Sequence, residues 1–429
     1  MVNLEEVFDA VDNLDREEVM SLMKSLIKID TSIPPANTYR KYVNTISPFF
    51  KDLGYSLEEV IVPEELVKQI PLPLEGPRIN LVATKDFTQK TYVTFYGHMD
   101  VVPAPMDGKD KWRFPPFEAT MIKSGKIYGR GTSDMKGAMV CLILALRIIE
   151  KLNLTPKYNI RVVNCTDEEV GYYPGVRYLA EKGYLKGIIF CMELAINPFI
   201  PTGAAGSLDI IVETIGKSCH SGMNFLGVNA LEEMIPILNE LMELKKNVEA
   251  RQSKEILGLP RPGSQESLNM SPMFNLDIIR SGEKSNIVPD SCVLTINRRI
   301  IPDENYEDVK QEIIEAIERG KAKSKALDLN ITFNYMYPAL RINSNTPPIN
   351  RIKKVMSLVQ DVPENKIEML GMAGSLDMSF VSQILNIDDI IIHGIATLGS
   401  NAHGVNETVK LKDMQTYIKE LIVFLCADL

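Results

Sequence analysis

Of the four histidines in this 429-residue chain, three lie in polar segments flanked by glycine: His98 in YGHMDVVP, His220 in KSCHSGMNFLGVNA and His403 in SNAHGVNE. The fourth, His393 in DIIIHG, ends an apolar run. Carboxylates end or interrupt apolar segments elsewhere: Asp134 in GRGTSDMKG, the adjacent Glu168 and Glu169 in CTDEEVG, and Glu193 in FCMELA. A lone charge in such a place is costly to bury. Imidazoles and carboxylates that converge there are what a divalent cation demands. Two histidines with three carboxylates are too many donors for one tetrahedral zinc, but they suit two ions sharing one bridging carboxylate. Asp134 also stands where it could cap a helix beginning at Met135, and a capping carboxylate keeps its other oxygen for a metal.

The elements that must position these groups are legible from periodicity. Residues 15–28 repeat apolar positions at Val19, Met20, Leu22, Met23, Leu26 and Ile27, a core-facing helical stripe, and 40–53 form a second amphipathic helix. Short strand-like runs at 92–96, 159–164, 187–192 and 390–392 each run up to one of the groups named above. Between the first two lies 135–152, long, apolar and free of proline, hence a buried helix. Strands alternating with such helices predict an α/β domain with a mostly parallel or mixed sheet covered on both faces. Its functional residues fall just beyond strand ends, where open sheets place their sites.

From residue 206 to about 338 the texture changes. Strands at 208–214, 270–279, 292–300 and 330–336 and helices at 229–246 and 305–319 run in the order β-α-β-β-α-β, that of a ferredoxin-like α+β domain. The expected organisation is therefore a discontinuous catalytic, metal-binding domain, 1–205 with 340–429, and an inserted domain at 206–339. The Gly/Pro/Ser-rich stretch 247–269 reads as a surface excursion.

Composition sets outer limits. Hydrophobic content of 45% and charged content of 24% are ordinary for a globular chain. The net charge of −9 argues against nucleic acid as a partner. The longest apolar stretches, 139–146 and 421–427, are too short to span a bilayer, and no secretory signal pattern appears. The expectation is a cytoplasmic protein without a membrane partner. Its six scattered cysteines read as buried thiols.

Taken in order, GHMDVVP, WRFPPFEA, GKIYGRGTSDMKG, TDEEVG, the HSG segment and NAHGVNE resemble the M20 metallopeptidase family over essentially the whole chain. That family includes acetylornithine deacetylase, succinyl-diaminopimelate desuccinylase, aminoacylase-1, carboxypeptidase G2-like enzymes and dipeptidases. The resemblance implies a zinc-exopeptidase-like catalytic domain and a lid or dimerisation role for the inserted one, with a homodimer formed through it. It implies two divalent ions, zinc by expectation, with cobalt or manganese able to substitute. His98, Asp134 and Glu193 would hold the first ion, and Asp134, Glu169 and His403 the second. Glu168 would be the general base, Asp100 would orient His98, and His220 would stabilise the oxyanion. Asn286 and Arg298 would bind the substrate carboxylate or the oxyanion, and Gly374 and Ser375 belong to a loop that would close over the substrate's carboxylate end. Arg299 carries the same charge as Arg298, and only one of the two can face inward along a strand. The Glu193 segment lacks the Gly-Glu-Pro run common in the deacylases, and 62–77 resembles an insertion. The activity so implied is hydrolysis of an N-acyl amino acid, in the manner of acetylornithine deacetylase or the desuccinylase. Cleavage of a dipeptide or small peptide by a dipeptidase or carboxypeptidase is the alternative.

Overall fold

The computed structural model describes residues 2–106, 111–259 and 268–429. They form two compact units. The first comprises Met1–Ile200, Ile342–Met369 and Phe380–Leu429, and the second Pro201–Arg341 with Leu370–Ser379.

The first unit is built on a mixed six-stranded sheet, ordered Ser56–Ile61, Ile79–Lys85, Asn159–Cys165, Tyr92–His98, Ile188–Cys191, Ile391–Ile392. The last four strands are mutually parallel, and the first two add antiparallel at one edge. Val93 to His98 are buried without interruption, as a strand covered on both faces requires. Helix Lys136–Lys151 supplies part of that cover and packs against Leu411–Cys426, and both are buried along most of their length. Helix Arg16–Ile27 buries the predicted stripe, with Asp15 accepting from the Glu17 amide as its cap. Asp134 does not cap the buried helix: the helix starts at Lys136, and Met135 occupies the cap position with no side-chain bond. Five of the six cysteines are buried, and none forms a disulfide.

The second unit contains strands Gly206–Ile215, Met273–Ser281, Ser291–Ile300 and Asp328–Tyr337 and helices Ala230–Glu249 and Tyr306–Lys321, in the order β-α-β-β-α-β. The sheet is antiparallel throughout, with Gly206–Ile215 and Ser291–Ile300 in its centre and Met273–Ser281 and Asp328–Tyr337 at its edges. Alternate residues of Ser291–Ile300 are buried, and they share one core with the inner stripes of both helices. Asn229 and Asn305 cap those helices through their side chains.

Two differences from the sequence expectation have plain causes. The segment Leu370–Ser379 belongs with the second unit, although it was expected in the first. Its backbone is tied there: the Ala205 amide donates to Met372 and Gly374, and the Gly371 amide to Leu257. The strands Ser56–Ile61 and Ile79–Lys85 went unanticipated. Only Val60 is buried in the first of them, so it carries almost no apolar signal. The excursion expected at 247–269 is described only in part, because 260–267 lie outside the described residues.

Candidate metal centre

Strand geometry delivers most of the site. His98 is the last residue of a central strand, and its register partner Cys165 ends the neighbouring one, three residues before Glu168. Ile188–Cys191 lies on the other side of the His98 strand and leads to Glu193. These carboxyl ends of parallel strands sit side by side, which brings residues about 70 to 100 positions apart into one place.

Asp134 reaches this place on a tight loop before the buried helix. Gly131 has φ +83°, and a Cβ on Gly137 would fall 2.1 Å from the Thr132 carbonyl oxygen, so the loop turns back on the start of the helix. One carboxylate oxygen of Asp134 lies 3.2 Å from His98 Nε2, and the other lies 3.1 Å from His403 Nε2. His403 Nε2 is also 3.0 Å from Glu169 Oε2. Donor atoms of His98, Asp134 and Glu169 all fall within 4.8 Å of one another. Asp134 thus faces two imidazoles, one with each oxygen, as a bridging carboxylate does.

The far side of His98 and the backbone of Glu169 are held. His98 Nδ1 lies 3.1 Å from the Asp100 carbonyl oxygen and 3.7 Å from its carboxylate, which leaves Nε2 turned to Asp134. The second oxygen of Asp100 accepts from the Glu169 amide at 2.9 Å, so one buried aspartate orients both a histidine and a glutamate. Glu168 and Glu169 separate on a single 3-10 turn entered through Asp167, whose φ is +64°. Asp167 is buried, accepts from the Tyr39 hydroxyl at 2.9 Å and lies 3.4 Å from Arg78 Nε. Burial raises its pKa to about 6 even though Arg78 opposes the rise.

Electrostatics mark the cluster as built for charge. Burial would lower the pKa of His98, yet hydrogen bonds and charge from Asp100 and Asp134 raise it well above the usual value. Hydrogen bonds to Asp134 and Glu169 raise His403 to about 10. Burial works against ionising Asp134, but the two histidines hold its carboxyl well below the ordinary range. Burial, then the nearby Asp134, push Glu169 upward. Buried acceptors and two imidazole nitrogens facing one carboxylate are the donor chemistry of a paired divalent site.

The other expected residues are distributed as follows. Glu193 is not part of the His98–Asp134–Glu169 cluster; its carboxylate lies within 4.8 Å of that of Glu168. His393 takes no part, being buried 2.7 Å from Glu420. In the second unit His220 and Asn286 are neighbours: His220 bridges to Ile287, and the Ser221 amide donates to the Asn286 carbonyl. The assignment of Arg298 is corrected. Its side chain is wholly buried on the core face, 2.6 Å from Glu304 and 3.7 Å from Glu312. Arg299, next along the strand, faces the other way and donates to Ser375 Oγ at 2.8 Å. Strand alternation settles which arginine is available. Sequence reasoning also passed over Glu407, Arg130 and Asp167. Each lies inside or beside a quoted motif (NAHGVNE, GRGTSDMKG, CTDEEVG), and their proximity to ligands was the available signal.

A mixed sheet that delivers histidines and carboxylates around one aspartate, Asp134, defines a metal-dependent hydrolase of the two-metal type. The model for peptidase family M20/M25/M40 matches residues 94–425, and the chain belongs to that family. It is 30% identical over 380 residues to a probable succinyl-diaminopimelate desuccinylase of Staphylococcus aureus (strain N315), covering 83% of this chain and 87% of the relative. Among solved structures it is similar to an M20 family metallo-carboxypeptidase, Sso-CP2, from Sulfolobus solfataricus, with a TM-score of 0.76 and 20% identity. That match covers 96% of this chain and 98% of the other. It is also similar to the di-peptidase Dug1p from Saccharomyces cerevisiae, with a TM-score of 0.77, 16% identity and 98% of each chain covered. No helix among the described residues is long and apolar enough to cross a membrane.

Proposed function

We propose that the protein hydrolyses the amide bond of a small peptide that carries a free carboxylate, as a two-metal dipeptidase or carboxypeptidase. The observation that carries the hydrolytic reading is the Asp134 carboxylate set between His98 and His403. In this reading His98, Asp134 and Glu193 hold one ion, and Asp134, Glu169 and His403 the other. Zinc suits the mixed N/O donors, and cobalt or manganese can take its place. Two divalent ions bound there would supply Lewis acidity for the scissile carbonyl and for a water. Glu168 takes the water's proton and passes it to the leaving nitrogen. Its carboxylate lies within 4.8 Å of that of Glu193 and outside the group formed by His98, Asp134 and Glu169, which supports this division of labour. Arg299 with Ser375 suits a carboxylate, because a guanidinium pairs with one in a planar fork. His220 is assigned to the oxyanion, and Asn286 to the substrate, on the resemblance of their segments.

The peptide substrate draws on the family's description and on the peptidases that share its fold. The curated relative at 30% identity favours a second reading, a deacylase of N-acyl amino acids. Amine release by the metal-reconstituted protein tells them apart. The panel is N-acetylornithine, N-succinyl-diaminopimelate, simple N-acetyl amino acids and unblocked dipeptides. Unblocked dipeptides are expected to turn over fastest; preference for a blocked substrate would establish the deacylase.

We also read the second unit as a ferredoxin-like lid through which the chain forms a homodimer. Its strand order supports the first part. The second rests on an exposed apolar stripe, Leu231, Ile235 and Met242, along helix Ala230–Glu249, and on Ile278 and Ile279 exposed on the edge strand Met273–Ser281. A self-complementary patch beside an open strand edge fits a second copy of the same chain.

A further inference from the structure

The carboxylate of Glu407 is fully buried and accepts five hydrogen bonds, all from residues 130–134 of the loop that presents Asp134. Oε1 accepts from the Ser133 amide at 2.9 Å, the Ser133 hydroxyl at 3.0 Å and the Asp134 amide at 3.1 Å. Oε2 accepts from the Gly131 amide at 3.0 Å and from Arg130 Nη1 at 2.8 Å. Arg130, itself buried, donates through Nη2 to the His403 carbonyl at 3.1 Å and to the Pro103 carbonyl at 3.3 Å. Its guanidinium also sits over the Trp112 ring, 5.3 Å from the centroid.

We propose that Glu407 and Arg130 are positioning residues that form one clamp across both metal positions, resting on the two-metal reading above. Glu407 fixes the amides on either side of Ser133 and so aims the Asp134 carboxylate. Arg130 ties the backbone of His403 to the same carboxylate. Residues some 270 apart in sequence, one bridging ligand and one terminal ligand, are thereby locked to a single buried charge. Both act through the residues they hold, Glu407 through the Asp134 loop and Arg130 through the His403 carbonyl. The chemistry also explains why glutamate stands here: every neighbour of its two oxygens is a donor, so an amide in its place would set an N–H against an N–H whichever way it turned. The division of contacts gives the two residues different effects. Disturbing Glu407 moves the bridging ligand and affects both ions, whereas disturbing Arg130 moves His403 and affects one.

The test is stepwise Co2+ titration of the metal-free protein, followed by calorimetry and by the visible cobalt spectrum, alongside the thermal midpoint of the metal-free form. Wild-type protein should bind two ions. Glu407→Gln should melt cooperatively yet lose about 10- to 100-fold in affinity at both positions, with an altered spectrum. Arg130→Lys keeps a charge opposite Glu407 but cannot also span to His403, and should weaken one ion by a similar factor while sparing the other. In Arg130→Met with Glu407→Gln both charges are gone, but the amide still meets a backbone N–H on either side, and metal affinity should stay low. Recovery of wild-type affinity in that double variant would reduce the pair to a structural ion pair and overturn the clamp. Wild-type affinity and spectrum in Glu407→Gln would do the same. If Glu407→Gln fails to fold, Arg130→Lys decides: wild-type binding of both ions there rejects the proposal. Wild-type protein that binds fewer than two ions would reject the two-metal reading itself, a failure visible before any variant is made.

Discussion

Adjacent residues of like type carry different duties in this chain, and side-chain direction decides which. Arg298 and Arg299 are consecutive on a strand, so one faces the core and the other the Ser375 loop. Replacing Arg298 with alanine leaves Glu304 with a buried charge that Arg251 only partly offsets. The expected cost is about 3 kcal/mol in urea denaturation. Arg299→Ala should leave stability within about 0.5 kcal/mol and lower kcat/KM on carboxylate-bearing substrates on the order of 100-fold. The reverse pattern would return the substrate role to Arg298. Glu168 and Glu169 pose the same question on a 3-10 turn. Glu168→Ala should keep two ions by elemental analysis and lose most turnover; loss of an ion would mean that the two glutamates exchange roles.

At the scale of elements, the loop from Gly129 to Asp134 and the helix that follows must be treated as one piece. Gly137→Ala drives a methyl into the Thr132 carbonyl, which cannot be relieved by a side-chain rotation. It should destabilise by about 1–3 kcal/mol and weaken metal binding together with stability. Gly374→Ala meets nothing within 4 Å and should fold as wild type, which makes it the control for thermal denaturation. This loop also shows where reading from sequence runs out. The strand at 92–96, the helix at 135–152 and the convergence of His98, Asp134, Glu169 and His403 were legible, because apolar periodicity and a polar break mark each of them. The role of Asp134 as a helix cap was a reasonable local reading, and it failed because Glu407, from a distant strand end, holds the loop one residue short of the helix. Ser56–Ile61 was invisible for the opposite reason. An edge strand with one buried side chain is defined by its backbone partners, which a one-dimensional pattern does not contain.

For the whole molecule, metal and assembly are the two levers. Ions that bind the folded chain and not the unfolded one stabilise it by about 2.7 kcal/mol at a hundredfold excess over Kd. Chelation should therefore abolish hydrolysis and lower the thermal midpoint by roughly 5–10 °C, and Zn2+ should restore both. A midpoint indifferent to chelator would mean that the cluster is held by its own hydrogen bonds alone. Ile235→Glu on the exposed stripe of Ala230–Glu249 should convert a dimer to a monomer in light scattering after size exclusion, and an unchanged mass would move the interface elsewhere. The interleaving of the two units has one more consequence, in the order of biosynthesis. On the ribosome the four-stranded sheet of the second unit is complete once Tyr337 has emerged, while the first unit still lacks the helix Leu411–Cys426 that packs against Lys136–Lys151. His98, Asp134 and Glu169 are by then long since made, but His403 and Glu407 are not. A growing chain therefore carries an incomplete cluster, in which Asp100 can hold His98 and Glu169 but the Glu407 contacts to the Asp134 loop are still missing, and the cluster is completed only after residues 403–407 have been translated.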